Sequence, residues 1–508
     1  MFNRASSIDL LRGFALVMMI FSGMIPFGGA LPAWMYHAQV PPPLHQFNPN
    51  IAGLTWVDLV FPFFLFSMGA SVAFALPIKL AKNGLSRTFG ELLRRSIRLL
   101  FIAIIGWNFN PLRLPTLGWW AGIAGLWTYL GLFLAFFTFP NKTGRQKFIT
   151  GGLSVVILSG VWAWLMASGK EIDPSVNDAI MRVLANVYFF GSILWIFTNG
   201  VWFLRLGVAV FFMAFYLGSL QENGWVSNLW STHDIFNLVS PMLLKYLLIF
   251  IPGTIVGDIL IAKFVNSEEE EAQKEEEEND PLIVFVRPNS EVYEEESLLT
   301  SPAYQRGAAM VYGIVALGTT VTTVWATFER EMGTGLAFAL GFGLFGFVSV
   351  FILGSTLTEE QILSRPVGVE QYVKLQLIML GFFLLIIGYF LEPFQGGVKK
   401  DHATLSYFFI TSGLATLWIL AFHHFYPNLW ITKILKPIEY LGQNALMAYL
   451  MAGFLIVPIM NLSHLSDLFV APSPDKIAVF GVAKAVFITA SVVGLTAFLS
   501  KKQVFWKI

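Results

Sequence analysis

Long apolar stretches, each about as long as a membrane-crossing helix, follow one another along almost the whole chain. A bilayer core about 30 Å thick takes roughly 20 residues of helix, and lipid offers backbone polar groups no partner, so helix is what such runs predict. The pattern predicts spans near 12–30, 56–77, 99–112, 118–139, 148–168, 179–198, 201–220, 239–262, 307–327, 334–356, 373–391, 404–422, 438–460 and 477–499. One or two of these are re-entrant or interfacial candidates, so 12–14 crossings are expected. The first run has the flanks of a signal peptide, with Arg4 before it and Ala30-Leu31-Pro32-Ala33 after it. We keep it as a span because it carries part of the motif described below.

The polar stretches between the runs divide their cations unevenly. One alternate set of loops holds eighteen: Arg4, Arg12, Lys79, Lys82, Arg87, Arg94, Arg95, Arg98, Lys142, Arg145, Lys147, Arg365, Lys374, Lys433, Lys436, Lys501, Lys502 and Lys507. The other set holds eight: Arg113, Lys170, Arg182, Lys245, Arg330, Lys399, Lys400 and Lys476. By the positive-inside bias the first set is cytoplasmic, and both termini with it. Residues 30–55, 169–178, 221–238 and 392–403 then lie on the far side. The expected fold is an all-α, polytopic transmembrane helical bundle.

One segment breaks the rhythm. Residues 267–298 carry glutamates at 268–271 and 275–278, then Asp280, Glu291 and Glu294 to Glu296. Such a block repels itself and stays solvated. We read 264–305 as a flexible acidic cytoplasmic insertion, with a small hairpin around Pro288-Asn289 as its one candidate for local structure. It separates an N-terminal bundle half, 1–263, from a C-terminal half, 306–508.

Composition sharpens this picture. Of 508 residues 56% are hydrophobic and 13% charged, too little polar surface for a soluble enzyme or a disordered scaffold. Cysteine is absent, which excludes thiol nucleophiles, disulfides and Cys-based zinc sites. The zero net charge is a cancellation. Thirteen of the 32 acids lie in 267–298 beside only Lys274 and Arg287, which leaves thirty bases against nineteen acids elsewhere.

The candidate chemistry is concentrated in the first hundred residues. Ser7-Ile8-Asp9-Leu10-Leu11-Arg12-Gly13 opens the first span, and Gly53-Leu54-Thr55-Trp56-Val57-Asp58-Leu59-Val60-Phe61-Pro62 enters the second. Between them a far-side loop holds His37 and His45. Asp58 lies about one turn inside the bilayer edge, where a carboxylate is costly unless paired, although capping of the second helix would also explain it. A histidine oriented by a carboxylate can take a proton from an amine or hydroxyl near neutral pH. On the cytoplasmic side Arg94, Arg95 and Arg98 could grip phosphates, or serve only topology and anionic lipid headgroups. No Walker loop, dinucleotide fingerprint or zinc helix is present in the sequence, so neither ATP-driven work nor metal catalysis is expected.

The two N-terminal segments, joined through His37-Ala38, resemble the heparan-alpha-glucosaminide N-acetyltransferase family, and more closely its uncharacterised bacterial relatives. A second block agrees: Lys399-Lys400, Thr404-Leu405-Ser406-Tyr407, Pro437, and Gly442-Gln443-Asn444-Ala445 with Tyr449. Together the blocks cover about 150 residues. The resemblance implies a bacterial inner-membrane acyltransferase that moves an acetyl group from cytoplasmic acetyl-CoA, a co-substrate, to an amino sugar or other glycan acceptor across the membrane. The family's essential histidine, acyl carrier or general base, matches His37 best. His45 is the second candidate, being closer in spacing to Gly53. Asp58 would orient the imidazole, and Arg12, Arg94, Arg95 and Arg98 would face the donor phosphates. Lys400, Ser406 and Asn444 would face the acceptor. The family's Asn late in the first span falls on Gly23 here, which leaves the glucosamine acceptor unsecured.

Membrane lipids and a small-molecule or glycan acceptor are the partners expected. A homodimer is compatible with the sequence, and no nucleic acid is expected. The alternative is a transporter or flippase for a sugar or lipid-linked intermediate, for which Arg205 and Asp258 are the deep charges. A third reading is a membrane scaffold that recruits a partner through the acidic insertion.

Overall fold

The long apolar runs all fold as helix. The computed structural model describes residues 6–138, 144–261, 302–354, 369–425 and 429–506. In chain order the helices are α1 (Ser6–Met24), α2 (Trp56–Asn108), α3 (Trp119–Phe136), α4 (Gly144–Ala167), α5 (Ala179–Thr198), α6 (Trp202–Ser219), α7 (Trp225–Trp230) and α8 (Pro241–Ile261). They continue with α9 (Pro302–Phe328), α10 (Met332–Gly354), α11 (Val369–Leu391), α12 (Leu405–Phe425), α13 (Leu429–Gln443), α14 (Ala445–Leu462) and α15 (Ile477–Lys501). Among the described residues twelve helices are long and apolar enough to cross a bilayer. The chain is a multi-pass, all-α membrane protein. The strands among the described residues are β1 (Phe137–Thr138) and β2 (Phe505–Trp506), which pair antiparallel.

Two stretches differ from the sequence expectation. Residues 79–98, expected as a loop, are helical, and α2 runs for 53 residues with its one non-helical residue at Gly84. Lys79 Nζ lies 3.0 Å from Glu91 and Asn83 donates to the same carboxylate at 3.0 Å. Twelve residues of straight helix would separate Lys79 and Glu91 by about 18 Å, so the chain reverses at Gly84. Gly84 has φ +70°, a value that a side chain makes costly. The arms 56–83 and 85–108 are therefore two crossings, and the second begins well before residue 99. The cations between them are carried on helix because Leu85, Leu92 and Leu99 keep a helical apolar spacing.

The expected span 438–460 likewise starts later. Lys433, Lys436 and Glu439 give α13 a polar face, and Lys436 pairs with Glu439 at 2.9 Å. Asn444 leaves helical geometry at φ −121°, ψ 40°, and the apolar crossing α14 begins only after it. The acidic insertion and its proposed hairpin lie outside the described residues.

Helix ends gather on two faces. One carries the start of α1, the Gly84 hairpin and the β1–β2 pair. The other carries residues 25–55, the start of α2 and residues 392–404. Helix α12 forms the centre, with nearly every residue from Leu405 to Phe422 buried. By contrast α4 is largely exposed, presenting Phe148, Val155 and Val156 outward as a lipid-facing helix would. Helix α1 joins the two sequence halves: Phe14 stacks on Trp418 at 5.3 Å, and α13 crosses α1 where Gly13 meets Ile438 and Gly442 meets Asp9. The buried Arg205 pairs with Asp258, and Trp195 donates to the same carboxylate at 3.1 Å. The two deep charges named for the transport alternative thus satisfy each other.

Candidate functional site

The site begins with the way α2 starts. Thr55 precedes the helix in extended geometry, and its backbone N–H donates to Asp58 Oδ2 at 3.0 Å. The Thr55 hydroxyl donates to the Tyr36 carbonyl at 2.7 Å, tying the preceding loop to the helix start. Capping occupies only one oxygen of Asp58, which also accepts from Ala38 N at 3.2 Å. The other, Oδ1, lies 2.6 Å from His37 Nδ1. Asp58 is fully buried, whereas the His37 side chain is 36% exposed. The carboxylate therefore holds Nδ1, while the ring as a whole stays partly exposed.

A third group completes the cluster. Lys400 Nζ lies 3.2 Å from His37 Nδ1 and 3.3 Å from Nε2, straddling the ring nitrogens. Its loop is held by several contacts. Gly53 N donates to the Val398 carbonyl at 2.8 Å, Leu405 N donates to Gln395 at 2.6 Å, and Arg330 pairs with Glu392 at 2.8 Å. His402 and Ala403 both have positive φ, 71° and 51°, a conformation that costs energy in non-glycine residues and persists only where surroundings impose it. Tyr216 and Lys245 impose it here by donating to the His402 carbonyl at 3.3 and 3.4 Å. Tyr407 donates to the Asp58 backbone carbonyl at 2.9 Å, so the second sequence block meets the first directly.

His45 is built differently. It lies between Tyr36 and Phe27, with ring centroids 4.5 and 4.9 Å away, and its Nδ1 faces the Val40 carbonyl at 3.3 Å. Burial pushes the Tyr36 phenol above its usual range, against the opposing hydrogen bond from the Leu31 backbone. It stays protonated and donates to the Pro26 carbonyl at 2.5 Å. His45 thus braces the loop that carries His37.

On the opposite face a cavity of about 800 Å³ opens between α1, α2, α5, α13 and α14. Lys79, Arg95, Tyr188 and Arg12 line it, and Met19, Phe64 and Met68 give it an apolar stretch of wall. From Lys79 to Phe64 is fifteen residues of α2, or about 22 Å, and Asp58 lies about 9 Å further on. Arg12 reaches Asp9 and the Gly442 carbonyl at 3.3 Å, the Ser67 carbonyl at 3.2 Å, and the Ser71 hydroxyl. Arg95 stacks on Tyr188 at 4.5 Å. Arg94 and Arg98, one turn apart on another face of the helix, do not line the cavity.

The remaining sequence candidates lie apart from these groups. Ser406 is buried beneath the 396–404 loop and shares a 2.9 Å hydrogen bond with Thr404. Asn444 is at the cavity face, where its amide is matched to the chain's own backbone. Sequence reasoning assigned no role to Thr55 or Tyr407, although both stood inside the quoted motifs; Lys79 was read only as one of the six cations of 79–98 that suit the donor phosphates or topology. Among the described residues no group of three His, Asp or Glu side chains is placed to hold a metal. Gly23 is exposed, with open space where a Cβ would go. Gly23→Asn is therefore expected to change stability by no more than about 0.5 kcal/mol, as thermal unfolding would measure.

A bundle of crossing helices, with a carboxylate–imidazole pair at one face and a cavity lined partly by cations at the other, defines a multi-pass membrane protein. The chain belongs to the family described as a domain of unknown function, DUF5009, whose model matches residues 4–260. It is also similar to human heparan-alpha-glucosaminide N-acetyltransferase, at 36% identity over 109 residues, 21% of this chain and 14% of that protein. The mouse protein of the same name is 34% identical over 110 residues, covering the same shares. The match thus spans about one seventh of the length of either curated relative, a distant relationship to a membrane N-acetyltransferase.

Proposed function

We propose that the protein is a membrane acyltransferase that carries an acetyl group from cytoplasmic acetyl-CoA to an amine or hydroxyl of a sugar acceptor on the far side. The observation that carries this reading is the Asp58–His37 pair, 2.6 Å apart, in a bundle whose cavity is lined by Arg12, Lys79 and Arg95. Coenzyme A carries several phosphate charges, which those cations suit. The apolar stretch of wall, Met19, Phe64 and Met68, suits the uncharged arm that bears the thioester.

In this reading Asp58 holds Nδ1–H and Nε2 is the base. As the acceptor nitrogen or oxygen attacks the thioester carbonyl, Nε2 takes its proton; the new C–N or C–O bond forms and the C–S bond breaks. The imidazolium then returns the proton to the departing thiolate, so CoA leaves as the thiol. Lys400, within 3.3 Å of both ring nitrogens, would in this reading offset negative charge that develops on the carbonyl oxygen, as a fixed cation nearby lowers the barrier.

Purified protein in sealed vesicles tests this. With acetyl-CoA outside and glucosamine inside, free CoA thiol should accumulate outside in step with acetylated sugar inside. Sugar flux without thiol release would replace this reading with transport.

A further inference from the structure

The far-side cluster already holds an amine of the chain itself. Lys400 Nζ lies 3.2 Å from His37 Nδ1 and 3.3 Å from Nε2, within proton-transfer reach of the ring nitrogen that Asp58 does not hold. The backbone around it is closed into a turn. Lys399 N donates to the Thr404 hydroxyl at 3.0 Å, and Thr404 N donates back to the Lys399 carbonyl at 3.1 Å. The neighbouring amines are placed elsewhere: Lys245 Nζ donates to the His402 carbonyl at 3.4 Å, and Lys399 Nζ lies beside Gly396. Lys399 and Lys400 are both half-buried, so the imidazole is what distinguishes them.

A lysine amine is a nucleophile once it has lost a proton, and a base within hydrogen-bond reach activates it. His37, held at Nδ1 by Asp58, is such a base. A thioester brought to Nε2 for transfer is therefore brought to Lys400 as well, and the flexible four-carbon stem lets Nζ reach the carbonyl.

We propose that Lys400 is a self-acetylation site: with acetyl-CoA bound and no acceptor present, Nζ takes the acetyl group and transfer stops. This rests on the acyl-transfer reading of His37. The ammonium first loses one proton to solvent. Nζ then attacks the thioester carbonyl; the N–C bond forms and the C–S bond breaks. Nε2 takes the second proton and passes it to the departing thiolate, so the products are acetyl-lysine and CoA as the thiol. The amide carries no charge to offset that of the carbonyl oxygen, and it adds bulk beside the imidazole.

In the test, purified full-length protein is incubated with acetyl-CoA alone, and acetyl-lysine is quantified at each position by mass spectrometry of its peptides. Lys400 should be modified at least about tenfold faster than Lys399, which reports uncatalysed acetylation. His37→Ala should remove that preference. Transfer activity should fall in step with the modified fraction. Lys400→Arg keeps a cation that lacks this amine, so its own starting rate should not decline over the same incubation. Modification of Lys400 at the Lys399 rate, or an undiminished preference in His37→Ala, overturns the inference. If wild type then still releases CoA thiol to glucosamine, the acyl-transfer reading stands; if it releases none, both fall.

Discussion

His37→Ala is expected to lower acetyl-CoA-dependent transfer by at least about a thousandfold, within the range that loss of a positioned general base costs. The expectation rests on the 2.6 Å contact with Asp58 and on the partly exposed ring, where an acceptor proton can be taken. Asp58→Asn should be nearly as damaging. An amide there offers a donor where the carboxylate accepts, which favours the wrong tautomer and ring orientation. Because the two residues act as one unit, the double variant should be little worse than His37→Ala. His45→Ala should keep most of the activity, since its ring packs on Tyr36 and Phe27 away from Asp58. Initial rates of CoA thiol release measure all four. A His37→Ala protein within tenfold of wild type would remove the mechanism.

The largest effect on folding is expected at Gly442. A Cβ there would lie 1.8 Å from the Asp9 carbonyl oxygen, and one at Gly13 would lie 1.9 Å from the Ile438 carbonyl oxygen. Those neighbours are backbone and have no rotamer to give way, so α1 and α13 would have to separate. Small residues at such a crossing let helix backbones touch where lipid supplies no hydrophobic drive to association. Gly442→Val should cost more than about 4 kcal/mol, the exceptional end of single-substitution effects, and leave little monodisperse protein after extraction. Gly494→Ala, where nothing lies within 4 Å of the added carbon, should be neutral. The Gly442 carbonyl also accepts from Arg12, so separation would disturb the cavity wall as well.

Several of the residues that the fold brings together stand out in the sequence. Ser7 to Gly13 and Gly53 to Pro62 marked Arg12 and Asp58, and the aromatic-His-Ala sequence favoured His37 over His45. The basic stretch 87–98 was less legible. Three arginines within about one turn looked equivalent in sequence, but 100° of rotation per residue sends Arg95 toward the cavity and Arg94 and Arg98 elsewhere. Asn444 had the right block but the wrong partner: it was expected to face an acceptor, and its amide binds residues 500–506. Nothing in the local pattern announces such a contact, because it depends on how the chain returns after α15.

The sequence alone determined the all-α multi-pass class and nearly all the crossings. It could do so because lipid forces each crossing segment to satisfy its own backbone, which makes helix formation a local property of each run. It also marked a carboxylate that needed a partner. Only the tertiary structure decided which partner it has, that Lys400 joins from 363 positions away, that residues 79–98 form a helical hairpin, and that the C-terminal tail walls the cavity. These are choices among neighbours. Periodicity fixes the face a side chain occupies, and only the packing of one helix on another fixes what meets it.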